Sequence, residues 1–240
     1  MKKIVIITPV PEVIKVLIEN SIIRKSIDNH IASIEVINLR DFGIGNYKQI
    51  DDSPYGGGSG MVMMAEPLMG ATEKALDFVG RSSDVEIIYP SPQGKLWNQD
   101  LAKKFSQTDK MIFICGHYKG IDQRVRNEIV TDEISIGDYV LSNGELPAII
   151  MIDSIMRLVP GVLNDYKSAE TDSFSSDLLD GPHYTRPREY CGLKVPNVLL
   201  SGNHKEIENW FLKERINKTK KNRMDLYKKY KSKNCGEENE

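Results

Sequence analysis

Short apolar, β-branched runs alternate with segments of helical period through the first two-thirds of this 240-residue chain. Runs bounded by turn formers predict strands at residues 3–8, 34–38, 85–89, 110–115 and 133–136. Apolar positions recurring every three to four residues predict helices at 12–20, 66–79, 99–105, 123–130 and 146–158. Such alternation predicts an α/β fold in which helices cover a mostly parallel sheet. Ligands in such sheets sit beyond the carboxyl ends of the strands. The Gly- and Pro-containing turns fall there: Ser91-Pro92-Gln93-Gly94, then Gly116-His117-Tyr118, then Ile136-Gly137-Asp138. Three successive strand ends thus point to one region.

The helical pattern stops at Pro160-Gly161, and the polar stretch 164–176 reads as a linker. Beyond it the period is helical again. Asn203 with Glu206 makes a capping box before Ile207, Trp210 and Phe211, and Asn222 with Asp225 makes a second before Leu226 and Tyr227. The expected organisation is an α/β domain over 1–161, a linker over 162–176 and a small α-helical domain over 177–240.

Charge adds a partner class. The net charge is −2, yet the segment 213–233 carries ten basic residues against Glu214 and Asp225, so the rest of the chain is strongly acidic. A localised basic stretch is the electrostatic footprint of a phosphate backbone, or else a solvated helical tail. Cys115, Cys191 and Cys235 are too few and scattered for a disulfide framework, and His30, His117, His183 and His204 lack metal-ligand spacing. The first apolar run ends at Thr8-Pro9, too short for a signal peptide, and the run 146–162 is interrupted by Asp153 and Arg157, which argues against a membrane span. A cytoplasmic location is expected.

The candidate chemistry sits between these elements. Tyr55-Gly56-Gly57-Gly58-Ser59-Gly60-Met61 fits neither a P-loop nor G-x-G-x-x-G, so it is either a flexible tip or a place of close backbone approach to a ligand. Asp172 is a turn former or a loop carboxylate with a task, and Arg157 either pairs with Asp153 four residues earlier or offers a cation to a developing oxyanion. Gly-x-Ser-x-Gly is absent, which weakens any hydrolase reading.

Taken together these motifs resemble the bacterial tRNA (guanine-N1)-methyltransferases, the TrmD family of the SPOUT superfamily. The resemblance runs in order through 55–61, 91–94, 115–122, 136–147, Asp153-Ser154, Arg157, 160–163, 172–174, 178–187 and 198–204. It implies a trefoil-knotted α/β domain followed by a small α-helical one. It implies that S-adenosyl-L-methionine is held by Tyr89, Ser91, Pro92, Gln93, Gly94, Gly116, Tyr118, Ile136, Gly137, Tyr139, Leu141 and Gly144. It further implies tRNA contacts at Gly57, Gly58, His183, Arg186, Lys218, Lys220 and Lys221, and guanosine 37 as the target. Asp172 matches the family's general base and Arg157 the residue that stabilises charge on O6. A homodimer with shared active sites and dependence on Mg2+ are also implied, although no carboxylate cage for the ion stands out. The chain departs from many members at Lys119, where a Glu is usual, at Asn143 in place of Gly, and at Ser53 and Ser59 in place of Arg and Pro. The rival readings are a SPOUT methyltransferase acting on another RNA and a non-catalytic RNA-binding protein.

Overall fold

The structure, a computed structural model, describes residues 1–163, 172–174 and 176–234. Most of the expected linker, Glu170 and Thr171 included, lies outside the described residues, as does Cys235. The chain divides into two compact units, Met1–Asn164 and Asp165–Glu240.

The first unit runs β1 (Lys2–Thr8), α1 (Pro11–Ile18), α2 (Ser21–Asp28), β2 (Ala32–Asn38), β3 (Asp51–Asp52), β4 (Val62–Met63) and α3 (Ala65–Val79). It continues with β5 (Glu86–Leu96), α4 (Gln99–Ser106), β6 (Lys110–Ile114), α5 (Gln123–Glu128), β7 (Asp132–Ser135) and α6 (Glu145–Met156). Five strands form one sheet in the order β2-β1-β6-β5-β7, and every neighbouring pair is parallel. Strand side chains alternate between faces, so a strand buried on both sides must be apolar throughout. That is how β1 and β6 read. Ile4, Ile6, Met111 and Phe113 meet Ile14, Ile23, Phe105 and the α6 residues Ala148, Met151, Ile152 and Ile155. Val5, Ile7, Ile112 and Ile114 meet Leu68, Ala71, Ala75 and Val79 of α3 and Val125 of α5. The sheet is therefore covered on both faces.

Two local features differ from the sequence reading. Helix α2 was not expected. Its eight residues are too few to stand alone, and burial of Ile23 and Ser26 holds them. Strand β5 also continues past the expected turn. Pro90 and Lys95 both pair with Ile134, so residues 91–94 loop out and the ladder resumes at Lys95 and Leu96. Proline cannot donate to a ladder, which explains why the excursion occurs where Pro90 and Pro92 stand.

The second unit contains β8 (Glu189–Tyr190), β9 (Leu193–Lys194), α7 (His204–Asn222) and α8 (Met224–Asn234). The β8–β9 hairpin, unforeseen in the sequence, turns on Cys191 and Gly192 with φ of 50° and 79°, both left-handed. Asn203 caps α7, its side chain accepting the Glu206 N–H. Asn222 does not cap α8. It is the last residue of α7, and the chain breaks at Arg223, whose guanidinium pairs with Asp225.

Candidate active site

The mid-strand excursion of β5 and the ends of β6 and β7 meet at one cleft lined by Tyr89–Pro92, His117–Gly120 with Gly116, Ile134–Gly137 and Tyr139–Gly144, with Pro147 below. It encloses about 700 Å³ of empty space, open solvent included, within the range of small-molecule sites. Of the residues expected at a donor site, Tyr89, Ser91, Pro92, Gly116, Tyr118, Ile136, Gly137, Tyr139, Leu141 and Gly144 all line it. Gln93 and Gly94 do not. The Gln93 side-chain amide oxygen, Oε1, accepts from Arg126, and Gly94 lies flat on β7, where a Cβ would overlap the Glu133 carbonyl and the Ile134 nitrogen.

Glycines keep the cleft open. A Cβ on Gly116 would come within 2.8 Å of the Tyr89 ring. One on Gly144 would stand 2.8 Å from the Gly116 nitrogen and 2.9 Å from Cys115 Cα, where the Gly144 N–H now bonds the Gly116 carbonyl at 2.9 Å. Tyr118 holds φ at +57°, a strained conformation for an aromatic residue, and half of its surface is exposed. Burial pushes the Tyr118 phenol up, with Asp51 adding to the shift. Burial also raises the Tyr89 phenol, partly offset by Arg126, whose guanidinium lies 5.7 Å from the ring centroid. Arg126 grips Glu133 with both arms at 2.6 and 2.7 Å, so one side chain ties α5 to β7 and to the 91–94 loop.

Beneath the cleft lies a polar bridge that the sequence reading missed. Glu145, fully buried at the first position of α6, accepts from Thr8 Oγ1 at 2.5 Å and pairs with His117 Nε2 at 2.8 Å. Its Oε2 has no partner among the described residues. The bridge joins the end of β1, the loop after β6 and the start of α6. A Glu in the first turn of an apolar helix was its only sequence signal.

Arg157 stands elsewhere. It is the exposed C-cap of α6, whose 12 residues begin at the cleft, so about 18 Å of helix separate the two. Burial raises the Asp153 carboxyl and the Arg157 charge draws it partly back. The glycine loop is exposed, with Gly56, Gly57, Gly58 and Gly60 at positive φ. It is anchored beside the cleft, since Lys119 N–H bonds the Met61 carbonyl at 3.1 Å and Met63 N–H the Gly120 carbonyl at 3.0 Å.

The remaining expected residues belong to the second unit. Asp172 is partly buried, next to Ser173, whose hydroxyl accepts the Asp180 N–H. His183 pairs with Asp180 at 2.7 Å, and Arg186 is exposed. Lys218, Lys220 and Lys221 are exposed on α7. Lys218 and Lys221 share a face, whereas Lys220 lies over Tyr227 at 5.9 Å. Among the described residues no three His, Cys, Asp or Glu side chains gather as a metal site would require.

Residues 1–229 match the family model described as tRNA (Guanine-1)-methyltransferase TrmD. A tRNA (guanine-N(1)-)-methyltransferase of Clostridioides difficile is 50% identical over 224 residues, covering 93% of this chain and 96% of the relative. Its namesake from Carboxydothermus hydrogenoformans is 50% identical over 226 residues, covering 94% and 87%. That from Caldicellulosiruptor saccharolyticus is 52% identical over 221 residues, covering 92% and 88%. With a family match along nearly its whole length, on a parallel sheet whose strand ends form one glycine-walled cleft, this chain belongs to the TrmD family of tRNA (guanine-1)-methyltransferases.

Proposed function

We propose that this protein transfers a methyl group from S-adenosyl-L-methionine to N1 of a guanosine in tRNA, at position 37. The observation that carries the reading is the cleft formed by the 91–94 excursion and the ends of β6 and β7, and relatives named tRNA (guanine-N(1)-)-methyltransferase support methylation of guanine N1 in tRNA. Its residues suit the donor. Glycine backbones at Gly116, Gly137 and Gly144 leave the room that side chains would fill, Ile136, Leu141 and Pro147 offer apolar surface for a purine, and the 137–144 backbone offers polar groups to its edges. When bound, the donor supplies an electrophilic methyl group on a sulfonium, and the electrons of the broken bond remain on sulfur.

Guanine N1 carries a proton at neutral pH and is a poor nucleophile until that proton is shared. In our reading the Asp172 carboxylate accepts it as the N1 lone pair becomes available. Charge then moves onto O6, where the Arg157 guanidinium donates hydrogen bonds. Arg157 lies a helix length from the cleft of its own chain, which favours a homodimer in which Asp172 and Arg157 serve the partner's cleft. The family's trefoil knot would be tied by the cleft loops. The basic residues of α7 and α8, with His183, Arg186, Lys218, Lys220, Lys221 and the glycine loop at Gly57 and Gly58, would hold the tRNA backbone. The described residues form no cage for Mg2+, and no step is assigned to the ion. No described helix is long and apolar enough to cross a membrane, and a tRNA substrate supports a cytoplasmic location for the reaction.

The test is methyl transfer from labelled donor to two tRNA transcripts, one with guanosine and one with adenosine at the target position. Label should enter the guanosine transcript alone. Asp172→Asn should lose kcat while still binding S-adenosylhomocysteine. Labelling of both transcripts, or of neither by an enzyme that binds the homocysteine product, would remove the assignment.

A further inference from the structure

Among the described residues, Lys119 is a cation without a counter-charge in the lining of the cleft. Its side chain is exposed, and no acceptor or carboxylate engages its ammonium among the described residues. The neighbouring acids are committed: Asp122 holds Arg124 at 2.7 Å, and Asp51 lies against Tyr118. The stem is nonetheless fixed. Its Cγ, Cδ and Cε lie 3.1 to 3.3 Å from where a Gly60 Cβ would be, so the methylenes run along that glycine and the ammonium stands one bond beyond. Gly60 has φ of +93°, and its lack of a side chain makes the track for the lysine.

The same loop offers more donors. The N–H groups of Gly58, Ser59 and Gly60 meet no acceptor among the described residues, whereas the Gly57 N–H is used by the Pro54 carbonyl. Three successive amides without an acceptor, two of them at positive-φ glycines, lie beside the ammonium and offer hydrogen-bond donors to an oxyanion. A compact, hydrated point charge on an exposed stem suits a phosphate better than a flat carboxylate. Lys119 belongs to the cleft lining, but its stem runs along Gly60 of the glycine loop, which does not, so its ammonium stands at the side of the cleft where the RNA rather than the donor would enter.

We propose that Lys119 and the amides of Gly58 to Gly60 grip one backbone phosphodiester of the substrate RNA beside the guanosine to be methylated. This inference rests on the methyl-transfer reading and adds a phosphate contact where the family commonly carries a carboxylate. The full-length enzyme is compared with Lys119→Ala and Lys119→Arg, measuring tRNA-transcript affinity between about 50 and 200 mM salt. One lost phosphate contact lowers the slope of log K against log salt by about 0.7 to 1. Lys119→Ala should show that drop together with roughly tenfold weaker tRNA binding. The loss should fall on KM more than kcat, and Lys119→Arg should restore the slope. S-adenosylhomocysteine binding by calorimetry, together with an unchanged melting transition, confirms that the variant is folded. An unchanged slope overturns the proposal. So does a loss of S-adenosylhomocysteine affinity, which would move the contact to the donor's carboxylate, or a fall in kcat at constant KM, which would move it to O6. Failure of the wild-type enzyme to methylate tRNA would refute the underlying reading, and a salt slope independent of Lys119 in an active enzyme would refute this inference alone.

Discussion

Glu145 gives the sharpest test of how the cleft is built. Its carboxylate is fully buried, accepts from Thr8 and His117, and joins segments that lie 137 and 28 residues away in the chain. Glu145→Ala leaves the Thr8 hydroxyl and the His117 ring without their acceptor and opens a cavity beneath Gly144. The expected cost is about 3–5 kcal/mol, as for other broken buried pairs. At about 2–4 °C per kcal/mol in a unit of this size, the melting transition of the N-terminal unit should fall by about 6–20 °C. Glu145→Gln keeps the volume and an acceptor but loses charge assistance, and should cost about 1–2 kcal/mol. Because the bridge fixes the 116–120 loop against the start of α6, calorimetric S-adenosylhomocysteine affinity should drop about tenfold in the alanine variant, equivalent to about 1.4 kcal/mol of loop reordering. Oε2 has no hydrogen-bond partner among the described residues, so part of the carboxyl group's burial is uncompensated. If Glu145→Gln melts higher than the wild type, desolvation outweighs the two hydrogen bonds and the bridge is not what stabilises the cleft.

Two further outcomes follow from the packing. Gly94→Ala forces a methyl group into the β7 backbone, which cannot rotate away; it should cost about 1–3 kcal/mol or more and weaken S-adenosylhomocysteine binding, and a variant with wild-type melting would show that β5 and β7 are not in contact there. In the second unit, burial alone would raise the Asp177 carboxyl, but hydrogen bonds from Lys229 and Lys233 outweigh it and hold it below the ordinary carboxylate value. A depressed folded value means that the stabilisation is present above the unfolded pKa, near about 3.9, and is lost as pH falls through the lower folded one. Acid titration followed by circular dichroism should therefore show α8 loosening below about pH 4, and Asp177→Asn, which tolerates the local φ of +57°, should flatten that limb. A limb unchanged in Asp177→Asn would assign the acid loss to other carboxylates.

Much of this architecture was readable in local chemistry. The continuous apolar runs of β1 and β6 and the helical period of α3 and α6 need only neighbours a few residues apart, and they are enough to specify a parallel sheet covered on both faces. The turns after β6 and β7 were also visible, because Gly and Pro mark chain reversals locally, whereas the one expected at 91–94 is an excursion within β5. Helix α2 was not, since eight residues without packing carry too little signal. The β8–β9 hairpin escaped notice because its strands have two residues each and its turn places a cysteine in a left-handed conformation. The site followed the same division. Which loops gather was legible, whereas how their side chains face was not. Gln93 turns to Arg126, Gly94 lies against β7, Lys119 runs along Gly60, and Glu145 reaches back to Thr8. Period and turn chemistry act between sequence neighbours, so a linear reading carries them. The partner of a buried carboxylate or the track of a lysine stem depends on residues up to 137 positions away, which meet only when the sheet has assembled.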